Sequence, residues 1–214
     1  MIGILAYGSL IADPGLEIKQ LTDRTIAGVE TPFAIEYARK SKTRSYAPTL
    51  VPVVNEKGWR VNANIFVLNQ DVPIDEAKNI LYRREIHVVG NLSKIYSPPS
   101  RPGINSVVIQ EIIHFCDVDL VLSTRIGANI SEILDDNQTD QNKAELLADL
   151  AIKSITSATF PYSQDGVYYL LQAMQYGVVT KLTELYTQTI LHLTDSSDLA
   201  EDRIAIARNN RVIS

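Results

Sequence analysis

The chain has 214 residues, of which 45% are hydrophobic and 21% charged, and its net charge is −5. This composition is ordinary for a globular protein with a sizeable core and argues against disorder. The acidic balance argues against non-specific nucleic-acid binding, which needs basic surface to neutralise phosphates.

The chain carries no sign of a metal, a cofactor or a membrane segment. Its single cysteine, Cys116, permits no intramolecular disulfide, and its three histidines lack metal-ligand spacing. Cys116 follows an apolar stretch and is predicted to be a buried thiol. No basic leader precedes the first apolar run, and no stretch approaches the ~18 apolar residues of a membrane span. We therefore expect a cytoplasmic protein without cofactors, nucleic-acid partners or membrane partners.

The first half of the chain is predicted to form mainly strands, bounded by turn residues. The predicted strands cover residues 2–6, 24–30, 33–39, 49–54, 59–68, 105–115 and 117–122. The short loop with Gly58 predicts a hairpin between the fourth and fifth strands. A helix is predicted from Pro73, because acidic residues fill its first turn and Arg83 and Arg84 its last, which suits the helix dipole.

The second half is predicted to be helical, because from Gln141 onward apolar residues recur at helical spacing. Strands followed by helices predict the α+β class rather than alternating βαβ units. We expect residues 1–125 to form a core and residues 126–214 to form a helical portion packed on it, as one domain overall.

The turn after the first strand, Tyr7-Gly8-Ser9-Leu10, is the first candidate site. Glycine allows backbone conformations that are closed to other residues, so successive N–H groups can converge on an anion or an oxyanion. Ser9 adds a hydroxyl donor and Tyr7 an aromatic wall. The alternative interpretation is a plain turn that ends a strand.

The segment from Ile4 to Leu10 resembles the N-terminal signature of the γ-glutamyl cyclotransferase-like family, in which a Tyr-Gly-Ser-Leu turn follows the first strand. The resemblance implies a small, mostly antiparallel β-barrel with flanking helices, which here would be extended by C-terminal helices. It also implies that the amides of the turn, from Gly8 to Leu10, bind a γ-glutamyl group.

Glu85 is the second candidate, as a general acid and base. Ile74 and Glu85 are eleven residues apart, close to three helical turns, so a continuous helix directs Glu85 toward its apolar face. Partial desolvation and the helix C-terminus both disfavour the charged carboxylate, which suits a proton-transfer group. The alternative is a helix that ends by Arg84, with Glu85 paired to an arginine in solvent.

The segment from Leu81 to Glu85 resembles the helix end of the ChaC-type, glutathione-specific branch, which places the catalytic glutamate at Glu85. Two segments depart from that branch, residues 86–90 in place of a Gly-Gly-Tyr-like stretch and residues 41–46 in place of an Arg-Gly segment. The segment from Asp165 to Leu170 loosely resembles the element that opens a C-terminal helix of the branch.

The resemblance implies an enzyme that cyclises a γ-glutamyl amide, such as glutathione or a γ-glutamyl amino acid, and releases 5-oxoproline. The nucleophile is the α-amine of the substrate, so no serine, cysteine or metal is needed. Further substrate-binding candidates are Arg39, Arg44 and Tyr168, each with a surface or packing role as the alternative. Also open are a non-catalytic binding protein, an interaction module formed by the helices, and a homodimer.

Overall fold

The computed structural model describes residues 1–157 and 165–201. The described elements, in chain order, are β1 (Ile2–Ala6), α1 (Ser9–Ala12), α2 (Leu16–Leu21), β2 (Thr22–Glu30), β3 (Ile35–Ser41), β4 (Ala47–Pro52), β5 (Asn62–Leu68), α3 (Ile74–Glu85), β6 (Val108–Phe115), β7 (Val118–Arg125), α4 (Ser131–Leu134), α5 (Asp140–Ser157), α6 (Gly166–Gln175) and α7 (Thr183–Thr194). The α+β class is therefore as predicted.

The chain divides into two compact units. The first comprises residues 1–32 and 61–127, and the second residues 33–60 and 128–214. The predicted division between residues 125 and 126 stays a prediction. None of the described helices is long and apolar enough to cross a membrane.

The first unit is built on a five-stranded sheet in the order β2-β5-β1-β7-β6. β1 pairs antiparallel with β5 and parallel with β7, and the outer strands β2 and β6 pair antiparallel with their neighbours. The predicted barrel is wrong, because β2 and β6 do not pair with each other among the described residues. Closure needs the two edges to meet, and two register shifts along β2 disrupt the pairing ladder and add local twist at that edge.

The predicted hairpin between residues 49–54 and 59–68 is also wrong. β4 instead pairs with β3 in a separate two-stranded sheet of the second unit, while β5 lies between β1 and β2 in the first. Residues 49–54 are rich in strand-forming residues, and residues 59–68 alternate in a pattern that sets which side chains share a face. It does not specify the partner strand, so proximity in sequence misled the prediction.

Cys116 is exposed, which corrects the predicted buried thiol. β6 and β7 are joined by the two-residue turn Cys116-Asp117, and both residues have positive φ, at 50° and 59°. Two consecutive residues with positive φ define the type I′ turn that favours tight hairpins. The apolar run before Cys116 belongs to the strand, whereas the cysteine lies at the tip of the hairpin.

Helix α3 buries one face against the sheet of the first unit. Ala77, Ile80 and Leu81 are fully buried, and the helix contacts β1 and β7. The helix continues to Glu85, which excludes the alternative in which it ends by Arg84. Its C-terminal end carries two consecutive arginines that turn to different neighbours.

Arg83 is only 1% exposed and is held by two carboxylates. Its Nη2 donates to Glu17 Oε1 and to Glu76 Oε1, each at 2.6 Å, and its Nε donates to Glu17 Oε1 at 2.9 Å. Glu17 also accepts the Gly90 N–H at 2.8 Å. Burial pushes the pKa of Glu17 upward, but these bonds outweigh it and lower the pKa. Arg83 therefore ties the end of α3 to α2 and to the segment that follows the helix.

The second unit packs helices on the β3–β4 sheet. α5 contacts β4, α6 and α7, and Tyr37 of β3 packs edge-on against the rings of Tyr169 and Tyr186, with centroids 6.3 and 5.3 Å apart. Residues 35–38 are all buried. Both faces of β3 are therefore covered there.

Glu36 is a fully buried carboxylate in this second core. It accepts hydrogen bonds from Thr180 Oγ1 at 2.6 Å, from the Tyr37 N–H at 2.8 Å and from the Leu182 N–H at 3.2 Å. Leu182 precedes α7, so Glu36 caps that helix from β3. Burial outweighs these donors and raises the pKa of Glu36 to about 7.

Replacing Arg83 with methionine removes the cation that compensates Glu17 and Glu76. We expect the free energy of unfolding to fall by about 3 kcal/mol, because partly buried carboxylates lose their partner. Denaturant unfolding measures this loss. Arg24→Met, at an exposed position of β2, removes the same charge and should change stability by less than about 0.5 kcal/mol. Equal effects of the two variants would contradict the structural role of Arg83.

Glu36 should make the second unit less stable as the pH rises. Its pKa is raised from 4.5 to about 7, so the folded state binds the proton more tightly than the unfolded state does. The stability contribution is complete below pH 4.5, is lost progressively up to pH 7, and amounts to at most about 3 kcal/mol.

The difference in unfolding free energy between the wild type and Glu36→Gln isolates this contribution, because other titrating groups cancel. Urea unfolding followed by the fluorescence of Trp59, the single tryptophan of the chain and part of the second unit, reports it. We expect the unfolding free energy of the wild type to fall relative to that of Glu36→Gln as the pH rises from 4.5 to 8. A difference that stays constant with pH would contradict the account.

Candidate functional site

The turn after β1 has the backbone conformation that its glycine predicted. Gly8 has φ 56° and ψ −132°, a combination that is open to glycine and closed to residues with a side chain. The chain then enters the short helix α1 at Ser9. Tyr7 is anchored beside the turn, because its hydroxyl donates to the Thr124 carbonyl of β7 at 3.2 Å.

The three turn amides differ in what they already bind. The Leu10 N–H donates to the Tyr7 carbonyl at 3.3 Å, so it belongs to the turn itself. The N–H groups of Gly8 and Ser9 make no hydrogen bond within the described part of the chain. Of the predicted anion site, two amide donors are therefore left for a ligand.

The end of α3 is shaped by a Schellman motif. The Val88 N–H bonds to the Arg83 carbonyl at 2.9 Å and the His87 N–H to the Arg84 carbonyl at 3.2 Å. His87 has φ 58°, the left-handed conformation that glycine commonly supplies at this place. Glu85 is thus the last helical residue, and its side chain is 21% exposed.

Arg84 joins Glu85 to the turn through one guanidinium group. Its Nη1 donates to Glu85 Oε1 at 3.0 Å, and its Nη2 donates to Ser9 Oγ at 3.2 Å. Its Nε and Nη2 also donate to the Asp13 carbonyl, at 3.0 and 2.9 Å. The two candidates that the sequence proposed separately, Ser9 of the turn and Glu85, are therefore neighbours of the same side chain.

These contacts leave specific atoms for chemistry. An arginine only donates, so Ser9 accepts from Arg84 and its hydroxyl hydrogen points elsewhere. Glu85 uses Oε1 for Arg84, whereas its Oε2 has no hydrogen bond to the described residues. The cluster of Gly8, Ser9, Arg84 and Glu85 can thus present two amides and a hydroxyl as donors, beside one carboxylate oxygen.

Gly15 provides the surface on which Arg84 lies. It has φ 80°, and a Cβ added there would meet Arg84 Cγ at 3.4 Å and Val89 Cγ2 at 3.2 Å. The loop that carries the Asp13 carbonyl therefore needs glycine at this position for both its backbone conformation and the close approach of Arg84.

Arg39, Arg44 and Tyr168 belong to the second unit. Arg44 is buried, with its guanidinium 4.7 Å from the ring centroid of Tyr169, so the alternative of a surface role does not apply to it. Tyr168 accepts from Gln172 at 3.0 Å on α6. Their role in binding a substrate stays a prediction. The described residues contain no cluster of metal-ligating side chains.

Arg84 is the residue of this cluster that the sequence analysis missed as a site residue. The sequence indicates Arg84 as a favourable charge at a helix end and as part of the Arg-Glu pair of the ChaC-type segment, but it assigns Arg84 no role in binding. Neighbouring helical residues do not face each other, so spacing gave no reason to combine the two. The signal that could have found it is the small Asp13-Pro14-Gly15 loop, which follows the turn at a distance an arginine can span.

Replacing Gly8 with alanine tests the strained turn. We expect a loss of about 1–3 kcal/mol of unfolding free energy, because alanine cannot adopt the φ and ψ of Gly8 without strain. Chemical denaturation measures the loss. Gly103→Ala is the matched control, because an added Cβ there approaches Ser106 Oγ no closer than 3.8 Å. A Gly8→Ala variant as stable as the Gly103→Ala variant would contradict the assigned turn geometry.

Comparison with known proteins adds one structural likeness. No family model matches the chain, and no curated protein matches it. The chain is similar to the crystal structure of a γ-glutamyl cyclotransferase specific to glutathione, from yeast, with 11% identity and a TM-score of 0.49 over 90% of this chain and 98% of that one. A likeness of this degree carries no argument for family or function.

Proposed function

We propose that the protein cyclises a γ-glutamyl amide to 5-oxoproline and releases an amine. The observation that carries this proposal is the link from Ser9 Oγ through the Arg84 guanidinium to the Glu85 carboxylate. It supports a single site in which donors for a polar substrate lie beside one group that can move protons. The similarity of both motifs to the γ-glutamyl cyclotransferase-like signature supports the choice of reaction.

In the proposed reaction, the substrate supplies its own nucleophile. The α-amine attacks the γ-carbonyl carbon, a carbon–nitrogen bond forms, and a tetrahedral oxyanion develops. The amide bond to the leaving amine then breaks and the five-membered lactam remains. Holding the chain of the substrate in the cyclising conformation supplies several kcal/mol of the acceleration, because the reacting atoms no longer have to find each other.

Glu85 is proposed to carry the proton between these two steps. Its Oε2 accepts one of the two protons that the attacking nitrogen loses and gives it to the leaving nitrogen, and the other proton passes to solvent or departs with the amine as its ammonium form. The N–H groups of Gly8 and Ser9 and the Ser9 hydroxyl are proposed to hold the oxyanion or a carboxylate of the substrate. Further proposed contacts of the substrate, which only the sequence indicates, are Arg39, Arg44 and Tyr168.

One observation favours a second candidate, a binding protein without turnover. Glu85 Oε1 is held by the Arg84 guanidinium at 3.0 Å, so each of the two groups already compensates the charge of the other. Residues 86–90, which follow Glu85, also depart from the stretch usual in the ChaC-type branch. In that case the same cluster would bind an anionic small molecule and Glu85 would only balance the charge of Arg84.

The enzyme and the binding protein differ in the product they release. We expect purified full-length protein, incubated with glutathione and a panel of γ-glutamyl amino acids, to form 5-oxoproline in amounts that chromatography detects. Glu85→Gln should lower kcat by roughly a hundredfold or more, the usual contribution of a positioned acid–base group.

Asp75→Asn provides the matched control, because Asp75 is an exposed carboxylate in the first turn of the same helix. We expect it to leave turnover unchanged. Well-folded protein that forms no 5-oxoproline from any member of the panel would refute the enzymatic proposal. Turnover that survives in Glu85→Gln would refute the role of Glu85.

A further inference from the structure

The contacts of Arg84 separate its guanidinium into a fixed edge and an exchangeable edge. The fixed edge is formed by Nε and Nη2, which hold the Asp13 carbonyl and Ser9 Oγ. The exchangeable edge is Nη1, which holds Glu85 Oε1 at 3.0 Å. Four of the five N–H donors of an arginine are thus in use, and the remaining one lies on Nη1 beside the bond to Glu85.

Within the described ranges, Glu85 is the carboxylate that pairs with Arg84. The other two acceptors, a backbone carbonyl and a hydroxyl, are neutral. The side chains of Arg84 and Glu85 are 13% and 21% exposed, so the pair is reached by solvent but only in part desolvated. Because the pair is not sealed off from solvent, an anionic group of a ligand can compete with Glu85 for Nη1.

The geometry of the pair also indicates that local helix structure does not create it. Consecutive residues of a helix point about 100° apart and do not face each other. Arg84 is held in place by Asp13 and Ser9, which leaves Glu85 to turn toward its Nη1. The position of Arg84 therefore does not depend on Glu85, and an incoming anion would find the guanidinium already in place.

We propose that Arg84 recognises an anionic group of the ligand, the α-carboxylate of a γ-glutamyl substrate, and that this group replaces Glu85 on Nη1. Glu85 then loses its cationic partner, so its carboxylate is released from Arg84 at the moment when the substrate is bound. This inference rests on the proposed function for its choice of ligand. Arg84 thereby selects substrates with a free α-carboxylate, and their binding releases Glu85 from the ion pair.

Binding of the product 5-oxoproline and of its neutral amide, 5-oxoprolinamide, tests the inference without requiring turnover. By calorimetry, we expect wild-type protein to bind the carboxylate more than about tenfold tighter than the amide, as charge-assisted hydrogen bonds provide. Arg84→Met should remove this preference. Arg24→Met, which removes an equal charge from an exposed position in the same unit, should retain it.

The exchange of partners has its own signature. Glu85→Gln removes the competing carboxylate, so we expect 5-oxoproline to bind roughly threefold to tenfold tighter than to the wild type. The gain should vanish in the double variant Arg84→Met/Glu85→Gln. Weaker or unchanged binding of 5-oxoproline by Glu85→Gln would overturn the exchange. A gain that persists in the double variant would also overturn it, because simple charge repulsion by Glu85 would then explain the gain.

These results separate the inference from the proposed function. Anion binding that depends on Arg84, in a protein that turns over no γ-glutamyl amide, would refute the enzyme and support the inference. Turnover together with a carboxylate preference that survives in Arg84→Met would support the enzyme and refute the inference. Absence of binding to both ligands would also overturn the inference. If Arg84→Met does not fold, the Glu85→Gln measurement and Arg84→Lys, which lacks the fork to Asp13 and Ser9, decide the question.

Discussion

The buried guanidinium of Arg83 is the interaction on which the geometry of the candidate site depends. It binds Glu17 of α2 and Glu76 of α3 at 2.6 Å each, and Glu17 in turn binds the Gly90 N–H. The end of α3 is thereby fixed to α2 and to the segment after the helix. Since Arg84 is the next residue, its reach to the Asp13 carbonyl and to Ser9 follows from the position that Arg83 imposes.

The consecutive residues Arg83, Arg84 and Glu85 perform three different tasks within a single helical turn. The first is structural and buried, the second bridges to the turn after β1, and the third is the candidate proton carrier. Their directions diverge because successive helical side chains point about 100° apart. A helix end is suited to this arrangement, because the Schellman motif turns the chain away directly after Glu85.

The sequence predicted the parts of this structure that depend on local pattern. The α+β class, the first strand, the presence of α3 and the glycine-specific conformation of Gly8 follow from periodicity, capping charges and backbone sterics. Strand pairing was not predictable, since the alternation in residues 59–68 fixes a buried face and not a partner, and the barrel and the hairpin were wrong for that reason. The contacts of Glu36 and Arg84 were also not predicted, because their partners lie far away in sequence and no spacing rule connects them.

The central claim is that the turn after β1, Arg84 and Glu85 form one site for an anionic γ-glutamyl ligand. A crystal structure of the full-length protein with 5-oxoproline bound tests it most directly. The account predicts the ligand carboxylate within about 2.7–3.2 Å of Arg84 Nη1, the Gly8 and Ser9 amides beside the ligand, and the Glu85 carboxylate turned away from Arg84. A ligand bound elsewhere, or one bound here while the Arg84–Glu85 pair remains intact, would contradict it.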